Sequence, residues 1–169
     1  MTHADPASAR AALDTMLAPV LASLAALPRP DSPEQASSLQ QALHERWPLS
    51  HPQIVALATA LREGVDAGWL CDRGEPHSRF CRLAKPSAAS FDHSLDLVAL
   101  RGAGMAHAHP RGEITLALSA GEADADARFD GAPAGWIVYP AGSSHTPTVT
   151  GGRMILLYAL PGGAVQWSS

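Results

Sequence analysis

The spacing of apolar positions changes character once along the chain, near residue 72. From Ala7 to Leu27, the residues Leu13, Met16, Leu17, Val20, Leu21 and Leu24 recur mostly at three- and four-residue steps, which predicts an amphipathic helix. Pro19 lies inside that run and predicts a kink or a break. A second helix is expected from Ser32, with Pro33 at the first helical position and Gln35 closing a capping box, up to about Trp47 before Pro48. A third is expected to start in Ser50–His51–Pro52–Gln53, to carry Ile54, Leu57, Leu61 and Val65, and to end near Trp69.

Beyond the polar turn Asp72–Arg73–Gly74–Glu75–Pro76 the chain breaks into short runs bounded by Gly and Pro. The candidate strands are Arg79–Ala84, Ser94–Leu100, Gly104–His109, Glu113–Leu118, Asp126–Phe129, Gly135–Tyr139, Met154–Leu160 and Ala164–Trp167. Short strands with turn signals between them predict a mainly β sandwich or barrel. The organisation expected is a helical region of two or three helices over 1–72, unable to stand alone, followed by a β-barrel over 73–169.

Composition removes several classes of function. Of 169 residues, 46% are hydrophobic and 17% charged, enough apolar material for a core and the opposite of a disordered balance. The net charge is −4 and the basic residues are scattered, so neither a nucleic acid nor an anionic membrane surface is an expected partner. The first residues lack a basic-then-apolar leader, and no stretch is expected to span a bilayer. Cys71 and Cys81 are too few for a disulfide framework; they are able to pair across a hairpin, but reduced thiols in a cytoplasmic protein are the expectation.

Candidate chemistry gathers in two stretches. In Gly104-Met-Ala-His107-Ala-His109-Pro-Arg-Gly-Glu113, His107 and His109 share one face of a strand, and a tight turn brings Glu113 beside them. In Pro140-Ala-Gly142-Ser-Ser-His145 a third imidazole follows about thirty residues later. Imidazoles with one carboxylate suit Fe²⁺, Mn²⁺, Zn²⁺ or Ni²⁺ and leave positions open for water or substrate. His3, His44, His51, His77 and His93 lack partners in spacing and are expected as surface, cap or turn residues. Ser143 and Ser144 are expected as turn residues, and Asp124, Asp126 and Asp130 as a solvated hairpin.

These two stretches resemble the cupin motifs, His-x-His followed by three or four residues and then Glu, and Pro-x-Gly-x-x-His. The resemblance covers roughly residues 94–160; Val149 stands where an Asn is often found, and Gly121 lies one residue late. It implies a double-stranded β-helix, a jelly-roll barrel, with His107, His109, Glu113 and His145 as metal ligands. A finer resemblance, to the 4-hydroxylaminobenzoate lyase family, rests on Gly68-Trp-Leu-Cys71, Arg79-Phe80, Ala84-Lys-Pro-Ser87, His109-Pro-Arg-Gly-Glu113-Ile-Thr-Leu, Gly135 to Gly152 and Leu157 to Ala164. It implies conversion of 4-hydroxylaminobenzoate to 3,4-dihydroxybenzoate and ammonia in nitroaromatic breakdown, with a divalent metal as the cofactor.

A small aromatic acid needs a cation for its carboxylate. Arg79 is the first choice because of its Arg-Phe pair; Lys85 shares its parity whereas Arg82 points the other way on a regular strand, Arg111 lies in the turn between ligands, and Tyr139 is placed to stack on a ring. Trp136, Tyr158 and Phe80 are expected in the core. Glu113, His145 and Arg79 are the expected catalytic groups. The same ligands serve an Fe²⁺ dioxygenase, and a non-catalytic cupin sensing a metal or small ligand is a third reading. Barrels of this type often pair, so a homodimer is expected.

Overall fold

The structure is a computed structural model that describes residues 5–169; His3 lies outside the described residues. Three helices lead, α1 (Pro6–Ala26), α2 (Pro33–Arg46) and α3 (Pro52–Asp66), each with a proline in its first turn, where the missing N–H costs nothing. Ser32 caps α2, its hydroxyl accepting from Gln35 N at 3.1 Å. The cap of α3 is His51 instead of Ser50, with Nδ1 accepting from Gln53 N at 3.1 Å. Pro19 does not break α1, which runs on to Ala26. By length and composition α1 would also pass for a membrane-spanning helix, contrary to the expectation that no stretch does. Its apolar stripe (Leu13, Leu17, Val20, Leu21, Leu24) is buried in the protein's own core.

The strands are β1 (Arg73–Glu75), β2 (Ser78–Ala84), β3 (His93–Ala103), β4 (His107–His109), β5 (Glu113–Ser119), β6 (Arg128–Phe129), β7 (Gly135–Tyr139), β8 (Ser143–His145), β9 (Thr148–Pro161) and β10 (Gln166–Trp167). A large antiparallel sheet has the order β1-β2-β3-β9-β5-β7, with β6 also on β9; a small one has the order β10-β4-β8. Together they form a cupin-like β-barrel, as expected. Three details differ from the expectation. Arg73–Glu75 forms an edge strand in place of a turn, Ser143 and Ser144 belong to β8, and Glu122–Asp124 forms a 3₁₀ turn ahead of β6.

The large sheet is covered on both faces. Leu95, Leu97 and Ala99 of β3, Ile114, Leu116 and Leu118 of β5, and Ile155, Leu157 and Ala159 of β9 join the helices in one core. The alternate residues Leu100, Ala117, Met154, Leu156 and Tyr158 pack with Ile137 and Phe129 inside the barrel. This is why β5, Glu-Ile-Thr-Leu-Ala-Leu-Ser, shows no alternation of polarity: its first six residues are buried whichever way they point. Helix α2 also closes the β7 edge. Gln40 Oε1 accepts from Val138 N at 3.0 Å and His44 Nε2 from Trp136 N at 3.2 Å, while the Trp136 indole donates to Trp47 O at 2.8 Å.

Because the helices seal one whole sheet face, truncating their buried side should unfold the barrel with them. Leu57→Ala, at a site with 0% exposure, is expected to cost about 2–5 kcal/mol in denaturant unfolding followed by circular dichroism, whereas Val55→Ala, half exposed on the same helix, should stay within about 0.5 kcal/mol of the parent.

Candidate metal centre

The centre is assembled by three short segments that the barrel brings to one place. On β4, His107 and His109 turn inward and Ala108 does not. The turn Pro110–Gly112 then reverses the chain into β5, so that Glu113 is the first residue of the new strand. Gly112 adopts φ +88°, and a Cβ there would lie 2.7 Å from Pro30 Cγ and 2.9 Å from Tyr139 O, so only glycine closes this turn. The strand β8 pairs His145 directly opposite His107. Pro30, in the α1–α2 connection, accepts from Ala141 N at 2.8 Å and so also braces the turn leading into β8.

Glu113 Oε2 lies 2.8 Å from His109 Nε2, 3.7 Å from His145 Nε2 and 3.9 Å from His107 Nε2, and the His109 and His145 Nε2 atoms are 3.0 Å apart. His107 Nδ1 donates to Met105 O at 2.8 Å and His145 Nδ1 to Asp130 Oδ2 at 2.7 Å, so both rings turn an Nε2 toward the centre. The Thr115 hydroxyl donates to Glu113 Oε1 at 2.6 Å, while Oε2, although buried, receives no hydrogen bond. Lone pairs converging in this way are held together only by a shared proton or a cation. The four ligand atoms lie within 4.8 Å of one another, so a small inward shift of the side chains closes them to the roughly 3–3.5 Å spacing of a metal shell with ligands at about 2.1 Å. The residues fit a divalent metal.

Electrostatics agree with that fit. Burial alone would push the Glu113 carboxyl up, but the three imidazoles around it hold it well below the usual carboxylate range. Burial opposes a charge on His145, yet Asp130 and Glu113 outweigh it and raise the ring to about 9. Asp130 is half-encircled by donors: besides His145, the Tyr139 hydroxyl donates to Oδ2 and Thr148 N to Oδ1 at 2.7 Å.

The model of the 4-hydroxylaminobenzoate lyase family matches residues 24–167. The chain belongs to that family. Two relatives carry the same name: one from Pseudomonas putida, 27% identical over 146 residues (78% of this chain and 83% of the relative), and one from Nocardioides sp. (strain LMS-CY), 30% identical over 118 residues (66% and 70%). No solved structure matches with significance.

In this member of the lyase family the cluster opens onto a cavity of about 780 Å³ between the inner face of β2 and β3 and the small sheet. Apolar walls are supplied by Val98, Leu160 and Val165, and exposed Met105, Phe80 and Trp167 stand at the rim. Phe80 is therefore a cavity residue and not core, while Tyr158 is both buried and cavity-lining.

The expected substrate-binding residues are distributed unevenly. Lys85 lines the cavity. Arg79 does not: it pairs across strands with Ala99, on the sheet face that meets the helices. Arg111 lies beside Asp92 (3.6 Å) outside the cavity, and the Tyr139 hydroxyl is taken up by Asp130. The parity expected to join Lys85 to Arg79 is broken by a β-bulge between Arg82 and Ala84, which shifts the register so that Arg82 and Lys85, three residues apart, both reach the cavity.

Asp130 was the other omission. Its place in an acidic run suggested a solvated hairpin, but a left-handed backbone (φ 48°) next to Gly131 aims its carboxylate at His145. Asp124 is structural as well, accepting from Arg153 N at 2.8 Å. His44 and His51 tie helices down as described above, His77 sits in the β1–β2 turn, and His93 is buried with Nδ1 2.8 Å from Phe91 O.

Asp130→Ala should lower affinity for a divalent metal by roughly 10- to 100-fold without loss of the β-sheet circular dichroism signal, because it releases the His145 ring. Competition with a chelating dye measures this. In metal-free protein the raised His145 pKa contributes stability fully present below pH 6.5 and lost as pH rises through about 9. A metal must displace that proton, so apparent metal affinity is expected to increase with pH up to about 9, with proton release detectable by calorimetry in buffers of different ionisation enthalpy.

Proposed function

We propose that the protein is a metal-dependent 4-hydroxylaminobenzoate lyase that yields 3,4-dihydroxybenzoate and ammonia. The observation that carries the reading is the joining of a buried three-histidine, one-carboxylate cluster to an apolar-walled cavity in a chain of that family. The reaction takes up one water and needs no external oxidant, since cleavage of the N–O bond absorbs the two electrons that the ring gives up in gaining a hydroxyl. That balance favours the lyase over the dioxygenase.

His107, His109, Glu113 and His145 would hold the metal, whose identity among Fe, Mn, Zn and Ni this ligand set leaves open. When bound, it supplies Lewis-acid polarisation of a substrate oxygen. The chain's own groups do the rest. Asp130 and Met105 O fix the tautomers and orientations of His145 and His107, and Thr115 fixes the Glu113 carboxylate. Val98, Leu160 and Val165 offer a dry face to an aromatic ring, and Lys85 offers a charge to its carboxylate. The catalytic role expected of Arg79 is not part of this proposal, because its side of β2 faces the helices.

Metal-loaded protein incubated with 4-hydroxylaminobenzoate without oxygen should release ammonia and 3,4-dihydroxybenzoate in equal amounts. Dialysis against a chelator should abolish turnover, and one divalent ion should restore it. Full activity without metal would remove the ion from the mechanism, and a requirement for dioxygen would replace the lyase by a dioxygenase.

A further inference from the structure

The cavity face of the large sheet carries a polar row that runs straight across four strands. Arg82 on β2 stands opposite Asp96 on β3, Asp96 opposite Tyr158 on β9, and Tyr158 opposite Thr115 on β5. Thr115 ends the row with its hydrogen bond to Glu113. Three strand spacings separate the backbones at the two ends, about 14 Å. A guanidinium thus stands at one end of the row and the metal cluster at the other.

We propose that Arg82 is the residue that anchors the substrate's carboxylate and so selects aromatic acids over neutral aromatics. The identity of the ring rests on the lyase reading; the anion site rests on the cavity. Asp96 receives Arg82 Nε at 2.8 Å, and Ser94 Oγ donates to the other Asp96 oxygen at 3.0 Å. Asp96 therefore holds the guanidinium through one nitrogen and leaves its two terminal nitrogens as a fork for a carboxylate. Asp96 also cancels one positive charge. With Arg73 set against Asp72, Arg82 and Lys85 against Asp96 leave this end of the cavity with a single net positive charge, matched to one carboxylate.

Other cations are engaged elsewhere or turned away. Arg73, also on the lining, lies 3.8 Å from Asp72 and over the Phe80 ring at 5.2 Å. Arg79 faces the helices and Arg111 lies with Asp92. Lys85, a point charge without a buttress among the described residues, is a weaker second contact.

The test uses metal-loaded full chain and two ligands that lack the N–O bond, 4-aminobenzoate and its neutral isostere 4-aminobenzamide. By calorimetry the parent should bind the acid more tightly than the amide. R82Q should weaken the acid roughly 10- to 100-fold while leaving the amide within about threefold. R82K should recover part of the loss, and K85Q should cost less than R82Q. With 4-hydroxylaminobenzoate, R82Q should raise KM far more than it lowers kcat. The proposal is overturned if the parent shows no preference for the acid, if R82Q binds the acid like the parent, if it loses both ligands equally, or if K85Q alone removes the preference. Should R82Q fail to fold, R82K and the parent's preference decide between the same outcomes. Binding that follows Arg82 without ammonia release would sink the lyase reading and leave the anion site standing.

Discussion

The barrel interior is arranged around an ionised carboxylate with 1% exposure. Burying such a charge alone is costly, and Glu113 is tolerated because three imidazoles and a threonine hydroxyl surround it. Each of those partners comes from a segment that the barrel has to hold in register: β4, β8 and β5 itself. Loss of register by one residue would turn the ligands of a strand to the opposite face. The fold and the centre are one problem, and the charge at Glu113 links them.

The same strand explains the helices. Glu113 and Thr115 face inward while Ile114, Leu116 and Leu118 face outward, and the outward set has no second sheet to meet. The α1–α3 layer fills that role, and α2 additionally occupies the donors of the β7 edge. A helical element that looks like an appendage in the sequence is therefore the outer half of a single core.

How much was legible in advance follows from the range of each signal. The four candidate ligands sit in two short local patterns whose turn glycines are visible in the sequence, and the structure gathers their ligand atoms within 4.8 Å of one another. The helix starts were marked by Ser32 and by prolines. Two placements depend on longer-range geometry. Arg79 and Arg82 stand on opposite faces of β2, as strand alternation predicts, but the pattern does not say which face lines the cavity, and nothing in Arg79–Ala84 announces the bulge that brings Lys85 onto the face of Arg82. Asp130 looked like part of a solvated acidic run, because its contact with His145 spans fifteen residues and depends on one left-handed residue. The strand β8 was read as a turn since its serines carry no apolar pattern; its pairing with β4 is what defines it.

Pro30 gives the helical layer a reach beyond coverage. One residue in the α1–α2 connection abuts Gly112 on one side and accepts from Ala141 on the other, so both reversals that deliver metal ligands press against the same stop. Tolerance at the centre is thereby set partly from outside the barrel, by a loop about eighty residues upstream. A change in that connection, even with the four cluster residues unchanged, would alter how closely the cluster is drawn together.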